Sequence, residues 1–343
     1  MRSLEKADYL GTAPSLTIEL PQDVEPQLLK FLRDVKWPAP LSGKLTIRRR
    51  VQAHNTTPAE SAAWTAESFY PRDPDTCHVL VLSPQAELAP SFYHYLKFAI
   101  LKYKHEPSEA QSNLLGISLD LPTSKLAADD EAPFDAPAFP ARRQSLGKEE
   151  TEVLPHLLWQ APNSNAALYF GDKWAEFHLF LSRRLSAEEK EPERFPPDKK
   201  LVSKKYPAFM EFLLQLALSR GYYMLYPSFI AESILSLART HEDLYQQPDE
   251  FRHDALVEST SEPTADGPVD NQGTDSSPSV SQQQPVNEKP ISTDSTLATF
   301  LEGFSLSLPW LSSLDLLSFG GRILSKDAYQ QDTENYAKIF SAS

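Results

Sequence analysis

The stretch His78–Ile100, HVLVLSPQAELAPSFYHYLKFAI, decides how the chain is read. Val79 to Leu82 is an unbroken apolar run of strand length, apolar enough to be buried on both faces of a sheet. A polar loop, Ser83 to Ala89, follows, and Pro90 can open a helix at its first position. Beyond it Phe92, Tyr95, Leu96, Ala99, Ile100 and Tyr103 recur at helical spacing, a stripe that must face a core. Strand, loop and amphipathic helix in this order predict one unit of an α/β sheet. Its loop lies at the carboxyl end of the strand, where open sheets bind ligands.

The flanking segments repeat the alternation. Upstream, Ser15–Leu20 reads as a strand, a helix opens at Pro26, and Lys44–Val51 reads as a second strand. The Arg48-Arg49-Arg50 run there is either a solvated strand end or an anion site. Thr57-Pro58-Ala59-Glu60 is a capping box with proline at N1 and predicts a helix ending near Ser68–Pro71. Downstream, Leu114–Leu121 is strand-like, and Pro122–Glu152 loses periodicity and reads as a long surface loop or a lid. Leu157–Trp174 reads as two short strands around an Asn-rich turn, with Asp172 placed to cap the next helix. A charged connector, Glu188–Lys200, precedes a helix from Pro207 to Gly221 and a strand over Tyr222–Pro227. Glu258–Ser295 has no aromatic residue and is dense in Ser, Thr, Pro, Gln and Asp, which predicts disorder. The expected layout is an α/β domain over 1–251, a disordered insertion over 252–295, and a C-terminal segment over 296–343 that packs back on the main domain.

Composition narrows the function classes. The chain has 343 residues and a formal charge of −14, a poor match for nucleic acid, which attracts positive potential. Cys77 is the only cysteine, so no intrachain disulfide forms and no zinc site can be built from cysteines. No run of about 18 apolar residues suggests a membrane span, and the first ten residues lack an apolar signal core. Glycine-rich phosphate loops, a Gly-x-Ser-x-Gly elbow and kinase motifs are absent from the sequence.

What chemistry remains sits at strand ends. Glu87 is the only acid in the loop after the third strand, and Asp120 would occupy the equivalent end of a neighbour if the two strands run parallel. Together they could supply a metal ligand and a general base. Asn163 and Asn165 either bond their own turn or hold sugar hydroxyls. Trp159 and Trp174 either stack on a sugar or join the core, and His241 is either a metal ligand or part of a charged surface turn.

Six pieces occur in a recognisable order: SLEKADYLG, FLRDVKWP, HVLVLSPQAELAPSFYHYLKFAILKY, GISLDLP, WQAPNSNAALYFGDKWAEFHLFLSRR and ALSRGYYMLYPSF. In that order the chain resembles the family 2-like glycosyltransferases of filamentous fungi. The resemblance implies a GT-A fold, a mostly parallel sheet flanked by helices. It also implies transfer of a sugar from a nucleotide-diphosphosugar donor to an acceptor, usually with manganese or magnesium. Asp172 and Asp120 are then the candidate bases, Ser83, Gln85, Asn163, Asn165 and Trp159 the candidate donor or acceptor contacts, and Glu87 and His241 the candidate metal ligands.

The chain departs from the family at two points. Relatives with an acidic motif carry acids where this chain has Ser83-Pro84-Gln85, while Glu87, Leu88 and Pro90 of the trailing part are kept. The chain also begins inside what resembles the family's first helix, so either an upstream strand, with any membrane anchor, is missing from the sequence, or the protein has lost part of its donor site. The protein is expected to be soluble as written, or to belong to the Golgi or another secretory membrane if such an anchor precedes it. The competing reading is a non-catalytic partner or regulatory protein of the same fold.

Overall fold

The computed structural model describes residues 1–21, 24–37, 43–50, 56–106, 113–127, 133–134, 142–146, 149–153, 155–190, 193, 200–228, 237–252 and 306–340. The segment Glu258–Ser295, read above as disordered, lies outside the described residues.

From the N-terminus, α1 (Arg2–Glu5) is followed by β1 (Leu16–Leu20), α2 (Pro26–Asp34) and β2 (Leu45–Arg49). β1 and β2 pair in parallel, with Ile18 opposite Ile47. Next come α3 (Pro58–Ala66), β3 (Val79–Leu82), β4 (Ala86–Leu88) and α4 (Phe92–Ile100). The Thr57 hydroxyl accepts from the Glu60 N–H at 3.2 Å while Glu60 accepts from the Thr57 N–H at 2.9 Å, so α3 starts on the capping box. On α4 the apolar stripe is buried at Phe92, Tyr95, Leu96 and Ala99, and Tyr103 continues it into a π-turn over Leu101–His105.

The chain continues through β5 (Leu114–Ser118), β6 (Arg142–Leu146), β7 (Glu149–Val153), β8 (His156–Trp159), β9 (Ala166–Tyr169), α5 (Gly171–Lys190) and α6 (Phe209–Arg220). It ends with β10 (Tyr223–Pro227), β11 (Ala238–Thr240), β12 (Leu306–Ser307), β13 (Leu316–Leu317) and α7 (Lys326–Phe340). Part of the segment expected as a structureless loop is thus an antiparallel pair, β6 with β7, to which β12 adds in parallel. Its polar composition hid the pairing, because backbone hydrogen bonds make a ladder without apolar alternation.

Six strands form the central sheet in the order β13-β8-β10-β5-β9-β3, flanked by helices in a mixed α/β arrangement. Pairing is parallel at β13–β8 and β10–β5 and antiparallel at β8–β10, β5–β9 and β9–β3. Side chains alternate between two cores. Leu115, Leu157, Trp159, Tyr169, Met224 and Tyr226 join one with α3, α5 and α6. Leu114, Ile117, Leu158, Leu168 and Leu225 join the other with α4. Each fully buried leucine or isoleucine contributes roughly 1.5–3 kcal/mol relative to exposure, so this two-sided burial dominates the sheet's stability. β3 is the edge strand, so its four residues are only partly buried although they alternate between both cores.

Three consequences position the site. β3 and β5 are both antiparallel to β9, so they run the same way and their carboxyl ends share one edge. β8 and β9 are not the two arms of a turn. They lie apart, separated by β10 and β5, and residues 160–165 cross over the sheet between them, buried at Gln160, Ala161, Asn163 and Ser164. Finally, β11 pairs antiparallel with β4, the short strand inside the opening loop. Among the described residues no helix is long and apolar enough to cross a membrane.

Candidate functional site at the carboxyl ends of β3 and β5

Asp120 lies two residues past β5 and is 8% exposed. The Asn163 amide donates to its Oδ1 at 2.6 Å, and the Ser118 hydroxyl lies 3.4 Å from the same oxygen. Thr240, on β11, donates to Oδ2 at 2.9 Å. Burial pushes the Asp120 carboxyl above the usual carboxylate range, and the hydrogen bonds from Thr240, Asn163 and Ser118 pull the other way. The group therefore holds a proton more readily than a solvated aspartate, as a residue that takes a proton during a reaction must.

Asn163 is held by the crossing segment. Its backbone N–H donates to the Tyr169 hydroxyl at 3.0 Å, which donates in turn to the Asn163 carbonyl at 2.6 Å. The Tyr226 hydroxyl anchors the Ala161 carbonyl at 2.8 Å. The Asn163 side-chain oxygen accepts from the Asn165 N–H at 2.7 Å, an Asx-type turn that leaves the Asn163 amide nitrogen aimed at Asp120. The turn and the acid contact are thus made by one side chain.

The opening loop meets this group directly. The Ser83 N–H donates to the Asn165 carbonyl at 2.7 Å, and the Ser83 hydroxyl accepts from the Gln85 N–H at 3.3 Å, closing a tight turn. Gln85 and His241 exchange two hydrogen bonds, His241 N–H to the Gln85 carbonyl at 3.0 Å and the Gln85 amide to the His241 carbonyl at 3.1 Å. His241 Nε2 stands 2.9 Å from Glu87 Oε2. Candidates from four separate stretches of sequence, Ser83 to Glu87, Asp120, Asn163 with Asn165, and His241, form one connected cluster.

Two candidates lie elsewhere. Asp172 follows β9, and the end of β9 pairs with Val79 at the start of β3, so Asp172 belongs to the opposite edge of the sheet from Ser83. It sits in the first turn of α5 rather than capping it, paired with Lys104 at 2.8 Å. There its charge favours the helix N-terminus. Trp159 is 0% exposed, stacked on Phe134 with ring centroids 4.1 Å apart, and its indole donates to the Ser318 carbonyl at 2.8 Å. It is a core residue that fastens the C-terminal segment, as Trp174 is a core residue bonded to the Phe69 carbonyl.

Glu87 and His241 offer a carboxylate oxygen and an imidazole nitrogen, two donors where manganese or magnesium takes about six. Among the described residues no three His, Cys, Asp or Glu side chains gather into a metal-holding group. These residues alone do not fit a resident metal.

Sequence reading missed Thr240 and Ser118. Ser118 carries a signal, two residues before an acid at a strand end. Thr240 carries none, because its contact with Asp120 spans 120 residues of chain. Comparison with known proteins finds no family model and no curated protein that matches this chain.

Proposed function

We propose that this chain is a glycosyltransferase-like protein of GT-A type that takes a sugar from a nucleotide-diphosphosugar donor and passes it to an acceptor hydroxyl. One observation carries the reading: a buried carboxyl, Asp120, whose proton affinity is raised by burial, is ringed by amide and hydroxyl groups at the shared carboxyl edge of β3 and β5. That is where open α/β sheets bind ligands, and this set of groups suits a polyhydroxylated one.

The chemistry follows from the cluster. The acceptor hydroxyl attacks the anomeric carbon, the bond from that carbon to the diphosphate oxygen breaks, and the hydroxyl proton passes to Asp120. The Thr240 hydroxyl already donates to Asp120 Oδ2 at 2.9 Å, the geometry an acceptor alcohol would need. Asn165, whose amide reaches the Thr240 oxygen only at 3.4 Å, is placed to turn toward a sugar hydroxyl.

The test is a thermal-shift and calorimetric screen of the full chain against a panel of sugar nucleotides, with and without manganese or magnesium. At least one donor is expected to bind wild type and Asp120→Asn alike, with turnover lost in the variant. Failure of every donor to bind under either condition overturns the reading.

A second reading is favoured by the saturation of Asp120, both of whose oxygens are already taken by donors of its own chain. On it, the protein is a non-catalytic partner or regulatory member of the same fold. Donor binding without turnover, and a biological role that survives Asp120→Asn, would support it.

A further inference from the structure

Asp120 Oδ1 has Asn163 and Ser118, and the side-chain donor at Oδ2 is Thr240. Thr240 comes from β11, a strand of three residues that reaches the site through its ladder with β4, Ala238 opposite Leu88 and Thr240 opposite Ala86. The seat of that strand is the opening loop itself. Gln85 holds the His241 backbone at both N–H and carbonyl, and Glu87 meets the His241 ring. The Asn165 amide touches the far side of the Thr240 hydroxyl at 3.4 Å, so its single proton is directed at the acid.

We infer that Thr240 is a positioning residue for Asp120, and that β11, seated by Gln85 and Glu87 through His241, ties the carboxyl's orientation to the state of the Ser83–Glu87 loop. The inference rests on the reading of this edge as the donor site, since only then does the loop sense a ligand. A donor that engages Gln85 or Glu87 competes for the contacts that seat His241. Thr240 is the next residue along, so the hydroxyl leaves Oδ2 and frees that oxygen for an acceptor alcohol. Such coupling needs one element whose position both partners bias, and β11 is that element.

The groups that face Asp120 from the strands packed against it are the phenols Tyr169 on β9 and Tyr226 on β10, both pushed above the ordinary tyrosine range by burial and so neutral while the acid titrates. Glu87, Arg239, His241 and Glu242 lie on or beside β4 and β11. A change at Thr240 is therefore readable as a change in Asp120 itself.

The experiment is a carboxyl-carbon NMR titration of Asp120 in wild type, Thr240→Val and Thr240→Ser, each as the full chain without donor. Loss of a hydrogen bond to the charged form should raise the Asp120 midpoint in Thr240→Val by about one pH unit, with Thr240→Ser close to wild type. His241→Ala, which removes the ring's contact with Glu87 but keeps the backbone bonds to Gln85 and leaves Thr240 intact, should move the midpoint in the same direction by a smaller amount. A Thr240→Val midpoint equal to wild type overturns the inference. Adding the donor found in the screen should then shift wild type toward the Thr240→Val value, and no shift on donor saturation overturns the coupling. If no donor binds but Thr240→Val still shifts, the positioning role stands and the sugar reading fails. The opposite pattern, donor binding with no shift, fails this inference alone.

Discussion

Asp120 sits where its charge is opposed by burial and supported by Thr240, Asn163, Ser118 and its own backbone N–H, and the direction of its shift says that burial wins. The folded chain then holds this proton to a higher pH than the unfolded chain does. Its contribution to stability is full below the ordinary aspartate value and is lost as pH rises through the raised one. An asparagine has the same shape and never ionises. Asp120→Asn should therefore raise the thermal midpoint at pH 8 and give no gain below about pH 4. A gain that persists unchanged at pH 3.5, or a loss at pH 8, would show that the carboxyl is not under strain. Residues of this kind were legible where chemistry follows strand ends: Glu87, Asp120, Asn163 and Asn165 all came from local pattern. Thr240 was not, because a threonine in a short strand looks the same whether its hydroxyl meets water or a distant acid. Asp172 was misplaced for a related reason: its neighbourhood is legible, but the direction of β9 that sends it to the other edge is not.

At the scale of elements, the helix–glycine–strand unit was the most legible part of the chain. α6 ends at Gly221 with φ of 67°, and the Tyr222 N–H closes the turn on the Ala217 carbonyl at 2.7 Å. The left-handed conformation alone makes alanine there unfavourable by about 1 kcal/mol. A Cβ would also lie 2.6 Å from the Tyr329 hydroxyl of α7, which donates to the Gly221 carbonyl. Gly221→Ala should lower unfolding free energy in urea by about 2 kcal/mol, the backbone penalty plus a lost part-buried hydrogen bond. In a Tyr329→Ala background the same change should fall to about 1 kcal/mol, because only the backbone penalty remains. Equal losses in both backgrounds would mean that α7 does not feel the glycine. The contact with α7 could not be read beforehand, since α6 reveals its own stop signal but not which later helix leans on it. The same limit explains β8 and β9. Two strands six residues apart suggest a turn, and only the insertion of β10 and β5 between them, a long-range event, makes the connection a crossing.

Across the whole molecule the two edges of the sheet titrate in opposite senses. Opposite the Asp120 cluster, the Gly171 N–H at the start of α5 donates to His78 Nδ1 at 3.1 Å, and burial, aided by Lys104, pushes the imidazole down to about 4. Asp172 pulls the other way, and His105 and Lys97 add weakly to the depression. A depressed histidine keeps its stabilising share above its ordinary value near 6.5 and loses it as pH falls toward 4, because the unfolded chain takes up a proton that the folded one refuses. Asp120 acts in reverse, losing its share as pH rises. Above about pH 4 the two slopes therefore oppose each other, and each should be removable separately. Glutamine at position 78 can accept the Gly171 N–H through its amide oxygen and carries no titrating proton. The thermal midpoint of His78→Gln should accordingly fall less than that of wild type between pH 6.5 and 4, and follow wild type above pH 6.5. Asp120→Asn should show the complementary pattern, without the loss that accrues as pH rises from the ordinary aspartate value. Parallel curves for His78→Gln and wild type across the acid limb would place that loss on the many surface carboxylates instead, and would detach the start of α5 from the acid response of the fold.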